Sequence, residues 1–448
     1  MALTATPPPL PPSPAVQRQS SLQPHLGLIN WTPPGAPNEG PLVAVLDTGI
    51  DGTHPSLREA VAIRTSRSFT SDGNPFDDTE GHGTHVAGII GARDAGSGVV
   101  GVSSSRMLIV KIADTTGRAS TSTLVRGIRY ATARGARIIN ISFGGGGYSP
   151  LEQEAIDAAA ARGVLVVAAA GNSGRATREF PGAYRHVLAV AAVDAAGRPI
   201  GTSTSGQQVA LSAPGADVLS TTPGGYGRLS GTSMAAAVVS GVAARVWAAR
   251  PTLTASQVAQ ILEDSATDLG DPGPDPGTGA GMVDLARALT APAPVRDSAE
   301  PNDDPRQAAR TRPVLAGTGP GVGQVRGHVG PWRDPRDDYR ITIGARERVT
   351  VTLTGPPGAD FDLRLWRPGT PGYRPNARFA RTWLAAASIG PGTTERLRFT
   401  ATNGGVHTIE VVAARGSGTY TLRVVRERVS QTSTAGFPLS LAASSSRG

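Results

Sequence analysis

A chain of 448 residues, 39% hydrophobic and 17% charged, can bury a substantial core and is not a highly charged disordered polymer. Its 0 cysteines exclude disulfides, thiolate metal sites and cysteine nucleophiles, and its only lysine, Lys111, precedes Ile112, which excludes a phosphate-cradling G-x-x-x-x-G-K-[ST] loop. The net charge of +8 sits wholly in the last third: residues 1–40 balance, 41–290 carry 20 basic and 21 acidic groups, and 291–448 carry 22 and 13.

The first segment, 1–40, is rich in Pro, Ser and Thr. It has no cationic cluster before an apolar run, so it does not read as a secretory signal. Pro7-Pro8-Pro9 and Pro11-Pro12 predict an extended arm. Residues 41–290 alternate short apolar strands with helices. Strands are predicted at Leu42–Leu46, Met107–Ile112, Arg137–Ser142, Val164–Ala169, Val187–Val193 and Val209–Leu211. Helices are predicted from Thr84 to Gly91, Ser122 to Arg134, Leu151 to Arg162 and Met234 to Arg250. Such alternation implies a mainly parallel sheet covered by helices on both faces. The longest strongly apolar run, Val164–Ala170, is far below the ~20 residues that span a bilayer, so no membrane span is expected.

Ala291-Pro292-Ala293-Pro294 opens a linker over 291–299. From 300 to 427 the period changes to two, as in Val349–Leu353, Asp360–Trp366, Glu395–Phe399, His407–Val412 and Thr419–Val424. That pattern predicts an all-β sandwich, followed by a loose tail over 428–448. The basic excess of this region carries no nucleic-acid motif, so no nucleic-acid partner is expected. The oligomeric state has no signature in the sequence.

Three segments place a reactive side chain among glycines. Asp47 ends an apolar strand in Val45-Leu46-Asp47-Thr48-Gly49, where parallel-sheet sites form. His82 opens a helix in Gly81-His82-Gly83-Thr84-His85, and Ser233 does so in Gly231-Thr232-Ser233-Met234-Ala235. A serine becomes nucleophilic when an imidazole takes its proton and a carboxylate orients that imidazole. Asn172, in Ala170-Gly171-Asn172-Ser173-Gly174, follows a strand and offers an amide donor for an oxyanion. His85 reads as a packed helix histidine, not half of a metal pair. Met234, beside the nucleophile, is exposed to oxidation by peroxide.

The order Asp47, His82, Ser233, with these flanking residues, resembles the subtilisin family of serine peptidases over residues 41–290. Gly98–Val102, Ile138–Gly145 and Ala213-Pro214-Gly215 resemble the family's connecting segments. The resemblance implies a subtilisin-like three-layer α/β domain with a mainly parallel sheet, and endopeptidase action on protein or peptide substrates. It implies Asp47, His82 and Ser233 as the triad, and Asn172 with the Ser233 N–H as the oxyanion hole. Ser142, Phe143, Gly144 and Gly145 would bind the substrate backbone as an added strand. No cofactor or metal is expected in the chemistry. Structural calcium is a family trait, for which Asp77-Asp78 and Asp303-Asp304 stand as candidates beside their reading as solvated turns.

Three departures stand out. Glu179, in Glu179-Phe180-Pro181-Gly182, falls where the family closes the pocket for the side chain preceding the cut bond; it implies Arg or Lys preference, or else a solvent-facing loop residue paired with Arg178 or Arg185. Ala237 stands where the family's serine motif usually has proline, and it predicts altered kinetics. Only 40 residues precede the first catalytic strand, so either the chain folds without a propeptide or its true start lies elsewhere; export is expected from the family alone. The C-terminal region resembles the bacterial pre-peptidase C-terminal domain through Glu300-Pro301-Asn302-Asp303, Asp338–Ile341, Gly358–Leu363 and Gly418–Leu422. The alternative is an attachment protein using this basic region beside a dormant peptidase. An esterase is disfavoured because the G-x-S-x-G elbow is missing.

Overall fold

The computed structural model describes residues 21–36, 40–96, 98–294, 308, 312–330, 336–370, 377–416 and 418–429. A short helix, α1 (Pro24–Leu28), comes first, then β1 (Val43–Asp47), β2 (Arg67–Ser68), α2 (His82–Gly91) and β3 (Met107–Lys111). They are followed by α3 (Thr121–Ala133), β4 (Ile138–Ile141), α4 (Pro150–Ala160), β5 (Leu165–Ala169), β6 (Val187–Val193) and β7 (Val209–Pro214). A hairpin of β8 (Val218–Thr222) and β9 (Gly225–Leu229) leads into α5 (Thr232–Ala249), α6 (Ala255–Asp264) and α7 (Leu285–Thr290).

Seven strands form one parallel sheet in the order β2-β3-β1-β4-β5-β6-β7. Every residue of β1 is buried, because both sheet faces are covered. Successive side chains of a strand point to opposite faces. Val43 and Val45 therefore join one core with Val86, Ile89, Val238 and Val242 of α2 and α5. Ala44 and Leu46 join another with Leu124, Ile128 and Ile156 of α3 and α4. The result is the predicted α/β layering. After β1 the chain builds β3 on one side and β4 on the other, so the sheet has its switch point at the carboxyl end of β1, where Asp47 lies.

The long helix α5 has the length and hydropathy of a membrane span, yet 83% of it is buried inside the protein. It is a core helix, packed along β4 to β7.

The predicted arm over residues 1–40 needs correction where it is described. Leu26, Ile29 and Trp31 lie in the α2–α5 core, and the Trp31 indole donates to the Val102 carbonyl at 3.2 Å. Gln23 both donates to and accepts from the backbone of Val100. Three apolar side chains spaced within six residues were enough to dock a short helix, despite the surrounding prolines. The start of the predicted linker is also fastened: the Ala291 and Pro294 carbonyls accept from Arg250 and Gln257.

Beyond residue 312 the described strands are antiparallel. They are β10 (Gly321–Val329), β11 (Arg336–Ile343), β12 (Glu347–Thr354), β13 (Asp360–Trp366), β14 (Leu384–Ser388), β15 (Thr394–Thr400), β16 (Gly405–Arg415) and β17 (Gly418–Arg428), with a helix, α8 (Ala377–Trp383), before β14. Two four-stranded sheets result, ordered β10-β17-β12-β15 and β11-β16-β13-β14. Val349, Val351 and Leu353 of the first and Leu363, Leu365 and Ile409 of the second enter one hydrophobic cluster. Part of the basic excess is consumed internally. Arg426 pairs with Glu347, Arg336 with Glu410, and Arg364 with Asp362 and Glu410.

Candidate active site

Asp47 ends β1 with its side chain fully buried. The following residue holds it in place: the Thr48 N–H donates to Asp47 Oδ1 at 2.8 Å. His82 is the first residue of α2, and its Nδ1 lies 2.8 Å from the same Oδ1. With a carboxylate as partner, Nδ1 carries the proton and Nε2 is left with a free lone pair.

The close approach of α2 to β1 depends on Gly83. A Cβ there would lie 2.1 Å from the Gly49 carbonyl oxygen and 3.0 Å from Asp47 Cβ. The helix start is anchored by Asp78, which accepts from Thr48 Oγ1, the Gly81 N–H, and both the N–H and hydroxyl of Thr84. Both Asp78 oxygens are therefore engaged by donors, and the residue is buried. A cation would have to displace these donors, so Asp78 does not fit the calcium role considered for it. The Asp77 carbonyl accepts from the buried Lys111, which also pairs with Asp72 at 2.7 Å. Asp303 and Asp304 lie outside the described residues. Among the described residues, no group of three or more His, Asp or Glu is placed to hold a metal.

Burial of the His82 ring acts to lower its pKa. The charge and hydrogen bond of Asp47, helped by Glu80 and Asp78, outweigh that and raise it from the ordinary 6.5 to about 9. His85, one turn on, behaves oppositely. Burial pushes it down to about 4, and its Nε2 lies 3.0 Å from the Val218 carbonyl and 3.2 Å from that of Gly227. It ties α2 to the β8–β9 hairpin, as a packed helix histidine would.

Ser233 is the second residue of α5, and Met234 beside it is only 2% exposed. The Ser233 hydroxyl donates to the Ser142 carbonyl at 2.9 Å. That hydroxyl is thus engaged by the strand extension after β4. Asn172 follows β5, and its Oδ1 accepts from the N–H and the hydroxyl of Thr232, each at 3.0 Å. Of the two ends of the Asn172 amide only the oxygen can accept from an N–H, so the orientation is set and Nδ2 remains as a donor.

Phe143 is half-buried, with its ring 5.8 Å from that of His82. Gly144 and Gly145 are exposed and follow the last residue of β4 by a few positions, leaving open backbone. Glu179 does not pair with Arg185, which binds Asp157 instead. Its carboxylate turns inward: Thr204 Oγ1 donates to Oε1, and Oε2 lies 3.5 Å from where a Cβ on Gly144 would be. Gly171, at φ +115°, leaves the space into which that carboxylate fits, since a Cβ there would come within 2.3 Å of it. Sequence reasoning missed the anchors Thr48, Asn140, Thr204 and Thr232. Each makes at least one bond to a residue 25 or more positions away, Asp78 for Thr48, Ser240 for Asn140, Glu179 for Thr204 and Asn172 for Thr232, and no local pattern pairs these.

A buried carboxylate paired with an imidazole, a serine at a helix start and an oriented amide are the groups that serine hydrolase chemistry requires. The Subtilase family model matches residues 38–281, more than half of the chain, and the chain belongs to that family. It is a subtilisin-like serine endopeptidase, acting on protein or peptide substrates by chemistry that needs no cofactor. Subtilisin of Bacillus pumilus is 41% identical over 235 residues, covering 51% of this chain and 84% of that one. The thermostable alkaline protease of Halalkalibacterium halodurans (strain ATCC BAA-125 / DSM 18197 / FERM 7344 / JCM 9153 / C-125) is 43% identical over 251 residues, 56% of this chain and 67% of that one. The solved structure of Sphericase superposes with a TM-score of 0.53 at 32% identity, over 58% of this chain and 96% of that one.

Proposed function

We propose that Asp47, His82 and Ser233 are the catalytic triad and that Asn172 Nδ2 with the Ser233 N–H forms the oxyanion hole. The observation that carries this reading is the 2.8 Å contact of Asp47 with His82 Nδ1, which leaves Nε2 as the free base. Ser233 Oγ attacks the peptide carbonyl while His82 Nε2 takes its proton. The tetrahedral oxyanion forms facing Asn172 Nδ2 and the Ser233 N–H. His82 then gives the proton to the leaving amine, and water repeats the sequence on the acyl-enzyme. Gly144 and Gly145, with Ser142 and Phe143, pair with the substrate backbone as a strand.

Asn172→Ala is expected to lower kcat by about 10²–10³ with little change in KM. That magnitude is subtilisin's own, carried over through family membership. Fluorogenic peptide kinetics check it, and an unchanged kcat rules out the amide as an oxyanion donor.

Glu179 is assigned to the pocket for the side chain before the cut bond. Its position beside Gly144 and Gly171 supports this, as does the inward bond that Thr204 donates to it. A carboxylate there favours Arg or Lys. In matched peptides differing only at that residue, Arg is expected to exceed Phe in kcat/KM, and Glu179→Ala is expected to cost the Arg peptide roughly 10–100-fold, from the ~1.5–3 kcal/mol of a charged hydrogen bond. Equal loss for both peptides places Glu179 outside the pocket.

Residues 300–427 are read as a β-sandwich of the pre-peptidase C-terminal type, since two antiparallel sheets share one core. The family reading also favours export from the cell. Ala237, in the uninterrupted helix α5, retains the N–H that proline would lack, and altered kinetics relative to an Ala237→Pro variant are expected from it.

A further inference from the structure

A buried hydrogen-bond chain runs behind the nucleophile and is used by none of the steps above. Ser240, two turns along α5 from Ser233, donates its hydroxyl to Asn140 Oδ1 at 2.9 Å. Asn140, on β4, donates Nδ2 to Ser142 Oγ at 2.9 Å. Ser142 donates that hydroxyl to the Ser233 carbonyl at 3.0 Å, and Ser233 donates its own back to the Ser142 carbonyl. Ser240 and Asn140 are fully buried, and Ser142 and Ser233 nearly so.

The bonds run in one direction through the chain, starting from the Ser240 hydroxyl. Asn140 offers an acceptor and a donor on one planar group. The Ser240 hydroxyl meets Oδ1, so Nδ2 must face Ser142, and Ser142 must use its single proton on the Ser233 carbonyl. Without the Ser240 hydroxyl, the Asn140 amide is free to turn over. Oδ1 would then draw the Ser142 proton to itself, and the Ser233 carbonyl would lose its side-chain donor. A serine that clasps both nucleophile and substrate strand would be released from one of them.

We propose that Ser240 is a positioning residue of the peptidase: through Asn140 it holds the Ser142 hydroxyl on the Ser233 carbonyl, fixing the first turn of α5 against the substrate-binding strand. The proposal rests on Ser233 being the nucleophile. It gives Ser142 a side-chain task beside the backbone task of pairing with substrate. It also fits Ala237, because a first turn without proline gains a second fastening from the strand.

The test uses the full chain, with active sites counted by a sulfonyl fluoride that labels the serine nucleophile. Ser240→Ala is expected to reduce kcat per active site by about 5–50-fold, with KM within twofold and slower sulfonylation. Ser142→Ala breaks the other end, and the double variant should be no slower than the worse single variant. Ser212→Ala is the control, since it removes an equally buried hydroxyl bonded to the Gly281 carbonyl and should lower Tm while leaving kcat unchanged. Wild-type kcat in Ser240→Ala, or losses that multiply in the double variant, overturns the proposal. If Ser240→Ala proves too unstable to assay, Ser240→Thr against Ser240→Val decides it: equal rates for the two show that the hydroxyl is not what matters. An active Ser233→Ala enzyme would instead overturn the site reading on which this rests.

Discussion

Replacement of Ser233 by alanine is expected to remove nearly all peptidase activity, on the order of 10⁶ in kcat. That size is subtilisin's own and follows from family membership. The physical reason is local. The Ser233 hydroxyl stands at the start of α5, in the motif that also presents the Thr232-held amide of Asn172. A residual rate of about 10³–10⁴ over water is expected to survive, because Asn172 and the substrate strand still bind the reacting peptide. The hydroxyl makes one hydrogen bond, to the Ser142 carbonyl, and its loss should alter Tm only slightly. Peptide cleavage and thermal melting of the same preparation check both statements. A folded Ser233→Ala enzyme keeping more than about one part in a thousand of its kcat, against the ~10⁶ expected, would sink the nucleophile assignment.

Asp47→Asn is expected to lower kcat by about 10⁴ and to move the pH profile. The carboxylate keeps the His82 proton on Nδ1, whereas an amide can present its NH₂ group there and put the proton on the wrong nitrogen. The pH effect has a definite sign. Burial alone would lower the His82 pKa, and Asp47 is the largest of the groups that instead raise it to about 9. Protonated imidazole cannot accept the serine proton, so the wild-type acid limb of kcat/KM is expected well above pH 6.5, with activity climbing into the alkaline range. In Asp47→Asn the largest raising influence is gone while burial remains, and the acid limb is expected to fall to lower pH. The same coupling contributes to stability: with the folded pKa the higher one, the contribution is full below pH 6.5 and is lost as pH rises through about 9. The profile of kcat/KM reports the free enzyme's groups. An acid limb that stays in place in Asp47→Asn would show that Asp47 does not control the His82 proton.

Several elements were legible because their signals are local. The apolar run Val43–Leu46, ended by Asp47, is a strand buried on both faces, and the helical spacing before Gly135 marks α3, which begins in a capping box of Ser120 with Thr123. Helix α6 carries a local signal too, the capping box of Thr254 with Gln257, although no helix is predicted there from the sequence. The β8–β9 hairpin was missed for a different reason. Strand β9, Gly225–Leu229, is mostly exposed and glycine-containing, so it shows no apolar alternation. Helix α1 was hidden by proline-rich surroundings, because its stability comes from burying Leu26 and its neighbours in a core formed by later residues.

The sequence by itself singled out Asp47, His82, Ser233 and Asn172 as candidates, since each sits in a short glycine-flanked motif whose chemistry is readable in place. It also determined the change from helix–strand alternation to period-two strands, because periodicity belongs to neighbouring residues. Only the tertiary structure decided how those groups are held. Thr232 orients an amide 60 positions away, Ser240 one 100 positions away, and Asp78 was turned from a candidate cation ligand into the anchor of the His82 helix. The first two are hydrogen bonds between residues that only the folded sheet brings within about 3 Å, and such bonds leave no period or spacing in the chain; the third depends on the loop geometry before α2, which also brings Thr48 to Asp78.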